Sequence, residues 1–279
     1  VGKIDGLAYE EAGQGPAVVF VHAGIADRRM WDHQMAALAA THRVIRYDWR
    51  GRGESEDPAG PVCHHRDLLR LMDGLGVARA ALVGCSMGGS YALEAALAAP
   101  DRVAALVLIC SGLSGHRWPE EMIAQARERV HASIPAERLA AYRTGGAAVV
   151  DPADVEAFAR AHARWQVAGP GRGEADLEAA VWELAVDMLR GVFAREWSRP
   201  PVPEQALPAA GRLGEITAPT LVINGLEDVP GIQEVSGLLA AGIPGAVLID
   251  LPDTGHLPPV ERPGQVTALL RDWLARHWR

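Results

Sequence analysis

Four almost unbroken apolar runs, Ala17–His22, Val44–Asp48, Ala80–Gly84 and Val103–Cys110, are separated by helical patterns at Trp31–Ala40, His64–Leu75 and Met87–Ala98. Strands this uniformly apolar have no solvated face, which predicts a parallel sheet covered by helices on both sides. After Ser111-Gly112 the alternation stops. Helical patterns follow to about Gly214, with acidic first turns at Pro119-Glu120-Glu121 and Asp151-Pro152-Ala153-Asp154. Strand signals return at Pro219–Asn224 and Ala246–Asp250. The expectation is an α/β fold, a mostly parallel, doubly wound sheet interrupted by a helical insertion. Residues 1–112 and 213–279 would form the core and residues 113–212 a cap over the carboxyl ends of the strands, where open α/β sheets bind ligands.

The turn between the third apolar run and its helix reads Gly84-Cys85-Ser86-Met87-Gly88. A serine at so sharp a strand-to-helix turn adopts strained backbone angles, and its neighbours two positions away must lack a Cβ that would clash. Both are glycine. The helix that follows points its first N–H groups at the serine, where they can stabilise an anion forming on a substrate. Ser86 is therefore the candidate nucleophile and the N–H of Met87 one candidate oxyanion donor. The second donor is expected from His22-Ala23-Gly24-Ile25, after the first apolar run, with the Gly24 N–H preferred to that of Ile25. His22 itself reads as a structural residue of that loop. Cys85 reads as a small packing residue.

A serine hydroxyl needs a base, and the base needs a third group to fix its tautomer. Asp228 follows the strand at Leu221–Asn224, and His256 follows the strand at Ala246–Leu251 within Asp253-Thr254-Gly255-His256-Leu257. An aspartate in a glycine-rich turn often only caps the turn, and Glu227 is the alternative acid. Of the 10 histidines, His256 alone follows both the acid and a late strand with a glycine turn, whereas His277 falls in the final helix.

Tryptophans 118, 165, 182 and 197 fall in the insertion, where such residues commonly fill a small helical core. Candidate substrate contacts are Ile25, Trp118, Trp165, Trp182 and Leu257. Arg117, Arg127, Arg138 and Arg164 could meet an anionic substrate, although charges at helical spacing usually form a solvated face.

Composition narrows the partners. The formal net charge of −8 repels phosphate backbones, which argues against nucleic acid. The longest apolar runs are about half a bilayer span, so no membrane association is expected. Val1–Gly6 carries no apolar signal core, which leads to a cytoplasmic expectation. Cys63, Cys85 and Cys110 form no C-x-x-C pair, and neither a disulfide framework, a metal site nor a nucleotide cofactor is indicated. The expected partner is a small-molecule substrate, with the oligomeric state open.

With these motifs in place the chain resembles the α/β-hydrolase fold family nearly end to end. The matching pieces are Gly84–Gly88, His22-Ala23-Gly24 before Met30-Trp31-Asp32, Tyr47–Ser55, Ala99–Val103, and Gly255-His256-Leu257-Pro258 before Glu261-Arg262-Pro263. The order Ser86, Asp228, His256 is that of this family, and the resemblance implies a lid after the sixth strand and a structural role for the Asp48–Ser55 loop. Asp27–Asp32 and the Ser-Met-Gly-Gly elbow look most like 3-oxoadipate enol-lactonases and related carboxylesterases. One departure is Ala23, where the family commonly carries glycine. The implied function is a cofactor-independent serine hydrolase of a small ester or lactone. C–C bond hydrolysis, acyl transfer and ligand reception without turnover are alternatives on the same scaffold. Dehalogenase and epoxide-hydrolase chemistry is disfavoured, because those families place an aspartate where Ser86 stands.

Overall fold

The computed structural model describes all residues of the 279-residue chain except 146 and 148. Among the described residues eight strands form one sheet: β1 (Gly2–Ile4), β2 (Leu7–Ala12), β3 (Ala17–Val21), β4 (Arg43–Tyr47), β5 (Ala80–Cys85), β6 (Val103–Ile109), β7 (Thr220–Gly225) and β8 (Val247–Leu251). Their order across the sheet is β1-β2-β4-β3-β5-β6-β7-β8. From β4 to β8 all neighbours are parallel, and the β1–β2 and β2–β4 pairs are antiparallel.

The first two strands are absent from the strand reading above. They form a tight hairpin in which Ile4 pairs with Leu7 across Asp5-Gly6, both at positive φ (47° and 79°). Such a two-residue Asp-Gly turn matches the right-handed twist of the flanking strands.

Side chains alternate across the sheet as a covered strand requires. Val18 and Phe20 of β3 enter one apolar cluster with Trp31, just before α1 (Asp32–Leu38), with Leu38 of that helix, and with Leu270 and Trp273 of α10 (Pro263–His277). Val19 and Val21 enter a second cluster with Leu68 and Leu71 of α2 (His64–Gly74), Tyr91 and Leu93 of α3 (Met87–Ala98), and Leu239 of α8 (Pro230–Gly242). The sheet is therefore wound on both faces. The helix expected at Trp31–Ala40 is shorter, because a 3₁₀ turn over Arg28–Trp31 feeds α1. Strand β8 closes one edge, and Val247 and Leu248 there are about two-fifths exposed (42% and 38%).

Between β6 and β7 lie α4 (Glu120–Arg129), α5 (Ala136–Arg143), α6 (Pro152–His162) and α7 (Ala179–Trp197). Asp151 caps α6 by accepting from the Ala153 N–H at 2.9 Å. A knot of aromatic rings holds these helices together: Phe158 meets Phe193 at 4.7 Å and Trp197 at 5.0 Å, and Tyr142 stacks on Trp197 at 4.8 Å. The last α-helix of this stretch ends at Trp197, earlier than the pattern to Gly214 suggests, and residues 199–212 run without a helix before a 3₁₀ turn at Leu213–Glu215. Among the described residues no helix is long and apolar enough to cross a membrane.

Candidate active site

Ser86 stands between β5 and α3 at φ 54° and ψ −124°. The flanking glycines have a steric cause. A Cβ on Gly84 would lie 2.4 Å from the Gly88 carbonyl oxygen, and one on Gly88 would lie 2.3 Å from the carbonyl oxygens of Val21 and His22. The turn is packed so closely against itself and against the end of β3 that any larger residue would force the backbone apart.

Parallel strands deliver their following loops to one edge, and three of those loops meet here. His256 Nε2 lies 2.8 Å from Ser86 Oγ, and His256 Nδ1 lies 2.6 Å from Asp228 Oδ2. The other oxygen, Oδ1, accepts from the Val229 N–H at 2.7 Å, which fixes the carboxylate plane. Asp228 and His256 are buried, and Ser86 retains 8% of its surface. Glu227 is half-buried, and its N–H donates to the Thr254 carbonyl at 2.9 Å, tying the two loops together. The acid beside the imidazole is thus Asp228. An aspartate on Nδ1 favours the tautomer that leaves a lone pair on Nε2, which is what a base facing a hydroxyl needs.

Met87 is the first residue of α3, so no helical carbonyl reaches its N–H. Gly24 packs directly against it, and a Cβ on Gly24 would fall 2.6 Å from Met87 Sδ. The Met87 side chain is 40% exposed and borders a cleft of about 280 Å³ that Trp49, Arg52, His64, Tyr142 and Trp197 also line. His22 is fully buried, stacks on Trp49 at 5.1 Å and accepts from its indole N–H at 2.8 Å; burial pushes its pKa down to about 4. Burial also pushes the Cys85 thiol well above its ordinary value.

The Asp48–Ser55 loop is a buried electrostatic knot. Asp48 accepts from the Arg28 backbone N–H at 2.8 Å and from the Glu54 N–H at 2.9 Å, and it pairs with the Arg28 guanidinium.

The expected substrate contacts divide. Ile25 and Trp118 are partly buried against the core, and Leu257 is fully buried at the start of α9 (Pro258–Glu261). Trp182 is only 1% exposed within the apolar core, and Trp165, at 5%, borders an outward cleft with Arg129, Arg164 and Pro170. Neither indole makes a hydrogen bond with the Ser86–His256–Asp228 group. Among the described residues, the insertion side chain that does is that of Gln166, whose Nε2 lies 3.1 Å from His256 Nε2. It was not singled out in the sequence. A polar residue inside Ala163–Ala168 carries no periodic signal that would mark it. Of the insertion's arginines, Arg138 pairs with Asp154 at 2.9 Å.

A family model described as the alpha/beta hydrolase fold matches residues 16–263. The chain is 30% identical over 286 residues to RutD, a proposed carbamate hydrolase of Caulobacter sp. (strain K31), covering 98% of this chain and 97% of that one. Among solved structures, a thermophilic esterase from Thermogutta terrifontis superposes with a TM-score of 0.73 at 29% identity, covering 97% of this chain and 93% of the esterase. The enol-lactonase of Burkholderia xenovorans LB400 does so with a TM-score of 0.70 at 27% identity, covering 96% of each chain. A match across most of the sheet, the elbow and the late histidine loop, together with full-length similarity to hydrolases, means that this chain belongs to the α/β-hydrolase fold family.

Proposed function

We propose that the protein is a cofactor-independent serine hydrolase that cleaves a small carboxylic ester or lactone through an acyl-enzyme. The observation that carries this reading is the continuous hydrogen-bonded line from Ser86 Oγ through the His256 imidazole to Asp228. His256 takes the hydroxyl proton as Ser86 attacks the substrate carbonyl, and Asp228 holds the ring and favours the imidazolium that forms. The N–H groups of Met87 and Gly24 receive the developing oxyanion. His256 then passes its proton to the leaving alkoxide, and in the second half-reaction it activates the water that releases the acid.

Residues 113–212 act as the cap and residues 1–112 with 213–279 as the core. The substrate enters beside Met87 and meets Ile25, Trp118 and Leu257. Three unpaired cysteines support a reducing, cytoplasmic setting.

A carbamate is the second substrate class, favoured by the full-length similarity to the RutD proteins; its carbonyl would be attacked by the same serine. The test is a panel of p-nitrophenyl esters of graded acyl length, enol-lactones, simple lactones and carbamates, assayed with the native chain and with Ser86→Ala. Turnover on at least one ester or lactone, reduced by about 10⁴-fold or more in Ser86→Ala, is expected. Equal activity of the two proteins would refute the mechanism.

A further inference from the structure

Among the described residues the insertion touches the proposed base through one polar side chain, and that side chain is held from behind. Gln166 lies in the π-helical segment Ala163–Ala168 that continues α6. A π turn re-aims side chains relative to an α-helix and recurs at functional sites. The segment is seated on the His256 loop: the His256 N–H donates to the Val167 carbonyl at 3.3 Å, and a Cβ on Gly255 would lie 2.0 Å from that same oxygen. Just beyond, Arg172 donates to the buried Glu261 carboxylate at 2.7 Å, and the other oxygen of Glu261 accepts from the Gly255 N–H at 2.8 Å. Gln166 has little freedom to swing away.

Its amide bridges two imidazoles. Nε2 faces His256 Nε2 at 3.1 Å, and Oε1 faces His162 Nε2 at 2.7 Å. With Asp228 holding the proton on Nδ1, a neutral His256 offers one lone pair at Nε2, shared by the Gln166 N–H and the Ser86 hydroxyl. An amide can present either end, and a proton on His162 Nε2, the tautomer proposed here, selects it by donating to Oε1. His162 is enclosed by Phe158, Trp165 and Phe193, and among the described residues its Nδ1 has no partner. Burial pushes its pKa down to about 4, so it stays neutral at ordinary pH.

The geometry points to Gln166 as a positioning residue of the reaction proposed above: clamped by His162 with its amide N–H toward the base, it keeps His256 Nε2 an unprotonated acceptor aimed at Ser86. This inference rests on the Ser86–His256–Asp228 reading. An imidazolium at His256 would set N–H against N–H and would have to displace the amide. The groups facing His256 are Asp228, Ser86, the Cys110 thiol within 4.8 Å, Gln166 and, at its carbonyl, Cys85. Those facing His162 are Gln166, His256 and His131. Asp228 favours the cation, and the Gln166 N–H opposes it.

The experiment is ¹⁵N NMR of the imidazole nitrogens in the full chain, with His162 and His256 assigned through His162→Phe and His256→Gln. The expected result is the Nε2–H tautomer at His162 in the unmodified protein. The His256 titration midpoint should rise by about half a unit or more in Gln166→Leu, and by about one unit or more in Gln166→Glu, where a carboxylate replaces the donor. His162→Phe, which frees the amide to turn its oxygen toward the base, should move the midpoint in the same direction. An Nδ1–H tautomer at His162, or an unmoved or lowered midpoint in the two Gln166 variants, overturns the inference, since a residue that only packs the interface would leave the midpoint alone. If the Gln166 variants do not fold, the His162 tautomer decides by itself. The serine mechanism fails separately, on undiminished turnover by Ser86→Ala, and that result leaves the imidazole readings untouched.

Discussion

Ser86 occupies backbone angles that cost a non-glycine residue about 1–3 kcal/mol, and its own carbonyl shows how the strain is held. That oxygen accepts from the N–H groups of Gly89 at 2.9 Å, Ser90 at 3.2 Å and Gly112 at 2.9 Å, so the elbow is fixed from α3 and from the end of β6 together. The hydroxyl is consequently presented to His256 without needing to search for it. Asp228 is held as firmly by the Val229 N–H. Asp228→Asn should preserve this geometry while allowing the amide to donate to Nδ1 and impose the wrong tautomer. The expected outcome is a fall of about 10⁴-fold in turnover with an unchanged melting temperature. Steady-state kinetics beside a thermal melt would check both halves, and an active Asp228→Asn would show that another group orients the ring.

At the scale of elements, the loop after β4 behaves as a structural clasp. Asp48 is wholly buried with Arg28 as its ion-pair partner, and Ser55 of the same loop accepts from the Ala8 N–H of β2 at 2.8 Å. Asp48→Ala would leave a buried guanidinium short of its main partner and should cost about 3–5 kcal/mol, read from the urea midpoint. A loss under about 1 kcal/mol would mean that Glu54 and Glu10, which also contact Arg28, suffice. The parallel strands were legible because burial on both faces makes them uniformly apolar. The β1–β2 hairpin was less so: Leu7–Ala12 ends in exposed Glu11 and Ala12, and the available cue was Asp5-Gly6. Ser86, Asp228 and His256 could be picked out as candidates because each follows a strand at a glycine-rich turn, and the three side chains meet. Gln166 was not, because its place beside His256 comes from a π turn and from the seating of the neighbouring Val167 carbonyl on Gly255, neither of which leaves a pattern in sequence.

Across the whole molecule, three buried histidines make stability depend on pH. Burial lowers His22 and His162 to about 4 and His64 to about 3, from an ordinary value of 6.5. Because the folded values lie below the unfolded one, the unfolded chain binds more protons in between. The stabilisation is complete above about pH 6.5 and is lost as pH falls toward 4. With up to three protons taken up on unfolding, the slope approaches about 4 kcal/mol per pH unit. Urea midpoints between pH 7.5 and 5, above the range where carboxylates titrate, should fall steadily, and a flat profile would show that these rings gain protons without unfolding. The candidate site is buried as well, with Asp228 and His256 at 1% and 0% exposure and Ser86 at 8%. The most direct measurement of the central claim is therefore covalent: treat the full chain with a fluorophosphonate, weigh the intact protein and map the adduct. The account expects one adduct per chain, on Ser86, absent in Ser86→Ala and slowed in His256→Gln. An adduct on another residue, or none on a chain that still hydrolyses esters, would contradict it.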